Sequence, residues 1–395
     1  MAGPFVSAED LVPALGGATG TIRDSQQGAL IRAEGRFDPR RLHKTRRALA
    51  RVRAATARAR FGVIGSSTVA GTGTGTGTDY RTGARAKSFP SVLSARLTAA
   101  GLPSRWDNFF GTANYYQETN AIDPRIGLGA GWLNGPQALG GPIFLNQSTV
   151  NALTFTPVNQ FDRLELVYST GGGNPGSFEV LVDGAVVQTI STTGGTALAK
   201  FNFSPTKGNH TVSVRKTVAD ASTVYIHSME CWDSTLPAVD ICNLGWGASD
   251  AAAWYVTTPA TRPMPALTMQ AFDLVLILLG LNAMDTSSLG TLSADVAAWK
   301  TAMQGIINTA IAAGSEVLLM VPQWSTADAT IQLAFHNAAY ELADSNLLNI
   351  LDLSYRFESY AKQGELGYNI SAPSHVGVEA HQDIAGALAA ALLTL

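Results

Sequence analysis

Hydrophobic positions follow three rhythms along this chain. Short unbroken apolar runs end at Ile64, Leu244, Leu279, Val321 and Leu353, with helix-spaced segments between most of them. A run with no polar face suits a strand buried on both sides, as a parallel sheet requires. The runs Phe61–Ile64, Val239–Leu244, Leu274–Leu279, Glu316–Val321 and Leu348–Leu353 therefore predict five parallel strands. Phe89, Val92, Leu93 and Leu97 share one helical face and predict a helix over 89–100, stopped by Gly101. A helix over 293–313 starts at Ser293 as N-cap and stops at Gly314, and another covers 330–343. From about Asn151 the rhythm changes to period two. Strands are predicted at 164–168, 178–182, 186–190, 198–203, 211–215 and 223–229, with Asp183-Gly184 as a hairpin turn. Six strands without helices predict a β-sandwich. The third rhythm is Phe37–Arg60, rich in Arg and Ala. Asp38-Pro39 makes a helix start, and Leu42, Leu49 and Val52 lie on one face. A basic surface for anionic partners and a solvated helix docked on the core are its two readings, the second preferred.

The predicted fold class is α/β: a doubly wound five-stranded parallel sheet with an inserted β-sandwich of jelly-roll type. The expected division is an N-terminal arm over 1–60, the first part of the α/β domain over 61–135, the insert over 136–236 and the second part over 237–395.

Composition narrows the partners. Of 395 residues 46% are hydrophobic and 14% charged, which is ample for two or three cores. A net charge of −3 gives no reason to expect nucleic acid or an anionic membrane as partner. Cys231 and Cys242 make no disulfide framework, and no run has the length of a membrane span. The start MAGPFVSAED lacks the charged-then-apolar order of a signal peptide, so any export is expected to use another route. No metal cluster is visible. The Gly-Thr repeat over 71–78 lacks the lysine of a phosphate loop, so neither metal nor cofactor is expected. That repeat is predicted to be a flexible loop bordering the substrate, with Tyr80, Arg81 and Arg85 beyond it.

Three segments carry candidate chemistry. The first strand ends in Gly65-Ser66-Ser67, where a turn presents a serine at the carboxyl end of a strand. Leu274–Leu279 ends in Gly280-Leu281-Asn282, whose amide can bond an oxyanion. His375 stands in a Pro/Ser loop before an Ala-rich C-terminal helix, and His381 lies on that helix.

In order, spacing and type these blocks resemble the SGNH (GDSL-like) hydrolases. Gly65-Ser66-Ser67 stands where that family has Gly-Asp-Ser, and Gly280-Leu281-Asn282-Ala283 where it has Gly-x-Asn-Asp. Ser374-His375-Val376 with Ala380-His381 matches its closing block, and Asn243-Leu244-Gly245-Trp246-Gly247-Ala248 its glycine block. The resemblance implies Ser67 as nucleophile, His375 as base, and the Gly247 N–H and Asn282 amide as oxyanion donors, with Gly245 and Gly111 as alternatives to Gly247. Three acidic positions of the family are replaced, by Ser66, Ala283 and Ala372. Because the acid normally three residues before the histidine is absent, a Ser67–His375 dyad is expected, with Asp285 and Glu379 as the nearest substitutes.

The resemblance also implies the activity, a serine esterase working through an acyl-serine. The insert points to O-acetyl groups on a polysaccharide, as in esterase modules of bacteriophage tails. The alternatives are a lipase- or thioesterase-like hydrolase, and a non-catalytic glycan-binding or virion-structural protein. Trp106, Tyr115, Tyr116 and Trp132 are available either for stacking on sugar or for packing at the domain interface.

Overall fold

The computed structural model describes residues 37–75, 81–113, 119, 121–370 and 375–395. Strands β1 (Ala59–Gly65) and β2 (Ser104–Arg105) open an α/β unit. The chain then builds a sandwich from β3 (Asn108–Phe110), β4 (Ile126–Leu128), β5 (Trp132–Ala138), β6 (Gly141–Asn146), β7 (Leu153–Phe155) and β8 (Arg163–Thr170). It is completed by β9 (Ser177–Val182), β10 (Ala185–Ser191), β11 (Ala197–Phe203), β12 (Val212–Lys216) and β13 (Val224–Trp232). The α/β unit resumes with β14 (Val239–Gly245), β15 (Leu274–Leu278), β16 (Glu316–Val321) and β17 (Asn349–Asp352).

The central sheet has the order β17-β16-β15-β1-β14-β2, all parallel. The five predicted strands are present, joined by the two-residue edge strand β2. Alternate residues feed two cores. Phe61, Val63, Leu274, Leu276, Leu318 and Met320 pack under the helices His43–Arg53, Phe89–Ala99 and Val378–Leu393. Ile64, Val275, Ile277, Val317 and Leu319 pack under Pro263–Gln270, Leu292–Ala312 and Ala329–Asn346. Helices on both faces make the sheet doubly wound. The N-cap of Leu292–Ala312 is Thr291, two residues before the expected Ser293, and Gly314 ends that helix at φ +90°.

The sandwich stacks a sheet of order β10-β9-β12-β7-β4 on one of order β11-β8-β13-β6-β5, with β3 added to β13. It takes in β3, β4 and β5, all of which begin before residue 136. Phe109, Phe144, Phe155, Phe161 and Phe178 fill its interior. Asp183-Gly184 turns β9 into β10 with φ of +52° and +80°, the paired positive values a tight two-residue hairpin needs. An ion pair and a cation–π contact fix the insert to the α/β unit. Arg60 of β1 pairs with Glu230 of β13, and the Arg58 guanidinium lies 3.7 Å over Trp232 at the end of β13.

The Arg-rich helix lies on the core, with Leu42, Leu49 and Val52 buried. Its cations serve the carboxyl ends of three core helices. Arg41 donates to the Leu348 carbonyl, Lys44 to Gly314, Arg46 to Leu395 and Arg53 to Leu393. Helix C-termini carry free carbonyls and the negative end of the dipole, so cations belong there.

Candidate active site

The strand order reverses around β1, with β14 on one side and β15 on the other. This switch point is where open α/β sheets bind ligands, and Ser67 stands at its carboxyl end. Gly65 allows the turn: a Cβ there would lie 2.2 Å from Val69 and 2.7 Å from the Leu278 carbonyl. Ser66 is the N-cap, and Ser67 opens the short helix Ser67–Ala70. The Ser67 carbonyl accepts from the Gly71 and Thr72 N–H groups. Its own N–H, at the first helical position, has no intrahelical acceptor.

Neighbouring strand ends brace this turn. Asn243 of β14 donates to the Val69 carbonyl (2.8 Å) and Ser88 Oγ (3.1 Å), while its Oδ1 accepts from the Gly245 N–H. The Trp246 N–H donates to the Gly65 carbonyl. Beyond β16, the buried Gln323 donates to Thr68 Oγ1 at 3.3 Å. Gln323 escaped sequence reading because only the tertiary fold sets it beside Thr68.

The Gly-Thr repeat differs from expectation over its described part. Thr72 and Thr74 are buried, and Thr74 Oγ1 donates to the carbonyls of Gly71 and Ala84. Gly73, at φ +107°, packs directly on the Val376 carbonyl, 2.3 Å from where a Cβ would be. The buried Thr74 hydroxyl, held by two backbone carbonyls, makes residues 71–75 a fixed turn rather than a flexible loop. This contact sets the His375 loop against the segment that follows Ser67. His375 is half-buried, and Val376 bridges to Asn369. His381 is fully buried; its Nδ1 accepts from the Phe89 N–H at 3.0 Å, and burial, with His375 nearby, pushes it down to about 3. It is a neutral packing residue.

Asn282 lies in the first turn of the helix Leu281–Thr286, after Gly280 at φ +135°. Its amide donates one hydrogen to the Ser249 carbonyl at 2.7 Å, and the second hydrogen has no acceptor among the described residues. Gly247 is different. Its N–H donates to the Ala113 carbonyl at 2.7 Å, so that donor is committed. The alternatives are committed as well, Gly245 to Asn243 Oδ1 and Gly111 to the His227 carbonyl. The next residue, Ala248, is exposed at φ +58° in a turn closed by Ser249 N–H donating to the Trp246 carbonyl. The Ala248 N–H has no acceptor among the described residues.

The sandwich reaches this region through the β5–β6 tip. Gly141 faces Trp246, 3.2 Å from a would-be Cβ, and Gly140 O accepts from the Ala113 N–H. Of the sugar-stacking candidates, Trp106 lies under the Arg125 guanidinium at 3.7 Å and Trp132 is in the sandwich core. Tyr115, Tyr116 and Ala372 lie outside the described residues. Asp285 accepts from Ser325 Oγ at 2.7 Å, and Glu379 is exposed beside Gly377. Among the described residues no group of three His, Cys, Asp or Glu side chains is placed to hold a metal, and no helix is long and apolar enough to cross a membrane.

No protein-family model matches the chain, and no curated protein matches it. Among solved structures, a peptidoglycan O-acetylesterase aligns over 89% of this chain and 95% of its own, at 14% identity and TM-score 0.64. A family two carbohydrate esterase from Clostridium thermocellum aligns over 63% and 93%, at 13% identity and TM-score 0.31. An acetyl xylan esterase covers 38% and 79%, at 19% identity and TM-score 0.33. The chain therefore shares its overall fold, insert included, with the first of these; the other two are too distant to weigh.

Proposed function

We propose that the protein is a serine esterase that removes O-acetyl groups from a polysaccharide. The observation that carries this reading is the Gly73–Val376 contact, which ties the His375 loop to the turn that presents Ser67 at the switch point. In the proposed mechanism Ser67 Oγ attacks the ester carbonyl while His375 takes its proton and passes it to the leaving alkoxide. Water then releases acetate from the acyl-serine by the reverse relay. The oxyanion is held by the Ser67 N–H, the second hydrogen of the Asn282 amide, and the Ala248 N–H in place of Gly247. Each such donor is worth about 3–4 kcal/mol in the transition state. Acetyl on glycan is favoured over a lipid or thioester acyl group because the sandwich tip abuts the Trp246–Ser249 turn, and because the full-length fold match is to a peptidoglycan O-acetylesterase.

Release of acetate from an O-acetylated glycan, and of p-nitrophenol from p-nitrophenyl acetate, tests the proposal. Ser67→Ala should abolish both and leave the fold intact. Ser66→Ala should keep most of the activity, since the Ser66 side chain makes no cap hydrogen bond. Activity in Ser67→Ala would remove the mechanism. The replaced acids at Ser66, Ala283 and Ala372 favour the second reading, a non-catalytic glycan binder; an inactive wild type that still binds the glycan would select it.

A further inference from the structure

The Arg-rich helix His43–Arg53 docks by its apolar stripe, and its polar flank borders a cavity of about 390 Å³. His43, Lys44, Arg47 and Arg51 line the cavity from the helix, and Asp273 and Gly314 line it from the α/β unit. His43, Arg47 and Arg51 recur every fourth residue, so they follow one face of the helix at steps of about 6 Å. Solvent reaches all four helix residues. His43, Lys44 and Arg47 are exposed, and the Arg51 side chain is 38% exposed.

The carboxylates beside these cations are already engaged. Glu316 caps the helix, accepting from the Lys44 and Thr45 N–H groups at 2.8 and 2.7 Å and from Thr45 Oγ1 at 2.7 Å. His43 Nδ1 lies 3.3 Å from its Oε1. Asp273 accepts from the Arg60 N–H at 2.9 Å and from Arg51 Nη2 at 3.2 Å. Lys44 Nζ donates to a neutral group, the Gly314 carbonyl, at 3.2 Å. Arg47 has no hydrogen-bond or ion-pair partner among the described residues. Three cations, Lys44, Arg47 and Arg51, therefore face two carboxylates, and one positive charge is left over. Arg47 and Arg51 also repel each other, as like charges four residues apart on a helix do.

We propose that this cavity binds the phosphoryl dianion of a phosphate monoester. Guanidinium forks match pairs of phosphate oxygens, and a lysine adds a point charge. A phosphoryl group answers the excess cation better than a carboxylate, because it carries more charge and offers oxygens to both forks. The cavity is larger than a lone phosphate fills, which leaves room for the organic part of the monoester. Asp273 and Glu316 stand at the amino ends of β15 and β16, whereas Ser67 follows the carboxyl end of β1 in the same parallel sheet. A strand length, roughly 17 Å for the five residues of β15, separates the two edges. The site is thus distinct from the Ser67 turn and does not depend on the esterase reading.

Calorimetric titration of the full chain with glucose 1-phosphate, inorganic phosphate, glucuronate and methyl glucoside tests the proposal. Near neutral pH, wild type should bind glucose 1-phosphate at one site, with an affinity that falls as salt is raised. Inorganic phosphate and glucuronate should bind more weakly, and methyl glucoside not at all. Arg47→Gln should weaken glucose 1-phosphate about fivefold, the scale of one exposed ion pair, and Arg47→Glu should abolish its binding. Both variants should keep the wild-type circular dichroism, since no hydrogen bond or ion pair among the described residues depends on Arg47. No saturable binding of glucose 1-phosphate in wild type would overturn the proposal. So would equal or tighter binding of inorganic phosphate or glucuronate, or undiminished binding by a folded Arg47→Glu.

Discussion

At the scale of single residues, the alanine at 248 is the most telling. A non-glycine residue in the left-handed region costs about 1–2 kcal/mol, and glycine there does not. Ala248→Gly should therefore raise the melting temperature and keep activity, because the N–H stays in place. Ala248→Pro deletes that N–H and pins φ near −65°, so kcat should fall by about 10²–10³ while far-ultraviolet circular dichroism stays native. A folded, fully active proline variant would exclude Ala248 as an oxyanion donor. Residue identity along the chain leads to Ser67, Asn282 and His375, whose types match their proposed tasks. It does not lead to Ala248, because alanine signals no positive φ. Nor does it lead to Gln323, 255 positions from the Thr68 hydroxyl it meets.

Elements were legible where one physical rule governs them. Leu274–Leu278 is buried on both faces and reads as an unbroken apolar run; the alternation of β12, with Val212 and Val214 buried and Ser213 and Arg215 half-buried, reads as a sandwich strand. Low complexity usually means flexibility, but over residues 71–75 the Gly-Thr repeat is held in place: Gly71 and Gly73 admit neighbouring backbone, and Thr74 bonds the carbonyls of Gly71 and Ala84. The same geometry yields a prediction. Gly73→Ala adds a methyl that meets the Val376 carbonyl at 2.3 Å on a positive-φ residue, so the His375 loop must shift. A displacement of about 1 Å at a catalytic group costs on the order of 10²-fold in rate. Steady-state kinetics on p-nitrophenyl acetate should show that loss in kcat with a folded protein; wild-type kcat would break the link between the repeat and the catalytic histidine.

For the whole molecule, acid stability follows from its buried imidazoles. Burial pushes His227 in the sandwich and His381 in the α/β unit down to about 3, and lowers His336 as well. The unfolded chain takes up these protons near pH 6.5 and the folded one does not, so stability falls as pH drops below about 6.5. Once well below that value, each imidazole costs about 1.4 kcal/mol per pH unit. His210 has the opposite sign. Asp183 raises it, so its contribution is complete below about 6.5 and lost as pH rises through the raised value. Urea unfolding should therefore give lower stability at pH 5 than at pH 7, with both units affected. Stability that is flat or rising on acidification would contradict the buried neutral histidines.

The Arg-rich helix carries a consequence for synthesis on the ribosome. The carbonyls its residues hold belong to Gly314, Leu348, Leu393 and Leu395, which are made long after it. At about 5–20 residues per second, the 340 positions between Arg53 and Leu393 amount to roughly 20–70 s. The sandwich strands and their pairings all fall between residues 108 and 232, so they can assemble while that wait continues. The nascent chain thus carries a finished middle between two segments that complete each other only after the later one has left the ribosome. Meanwhile the stripe of Leu42, Leu49 and Val52 is open to chaperones and proteases.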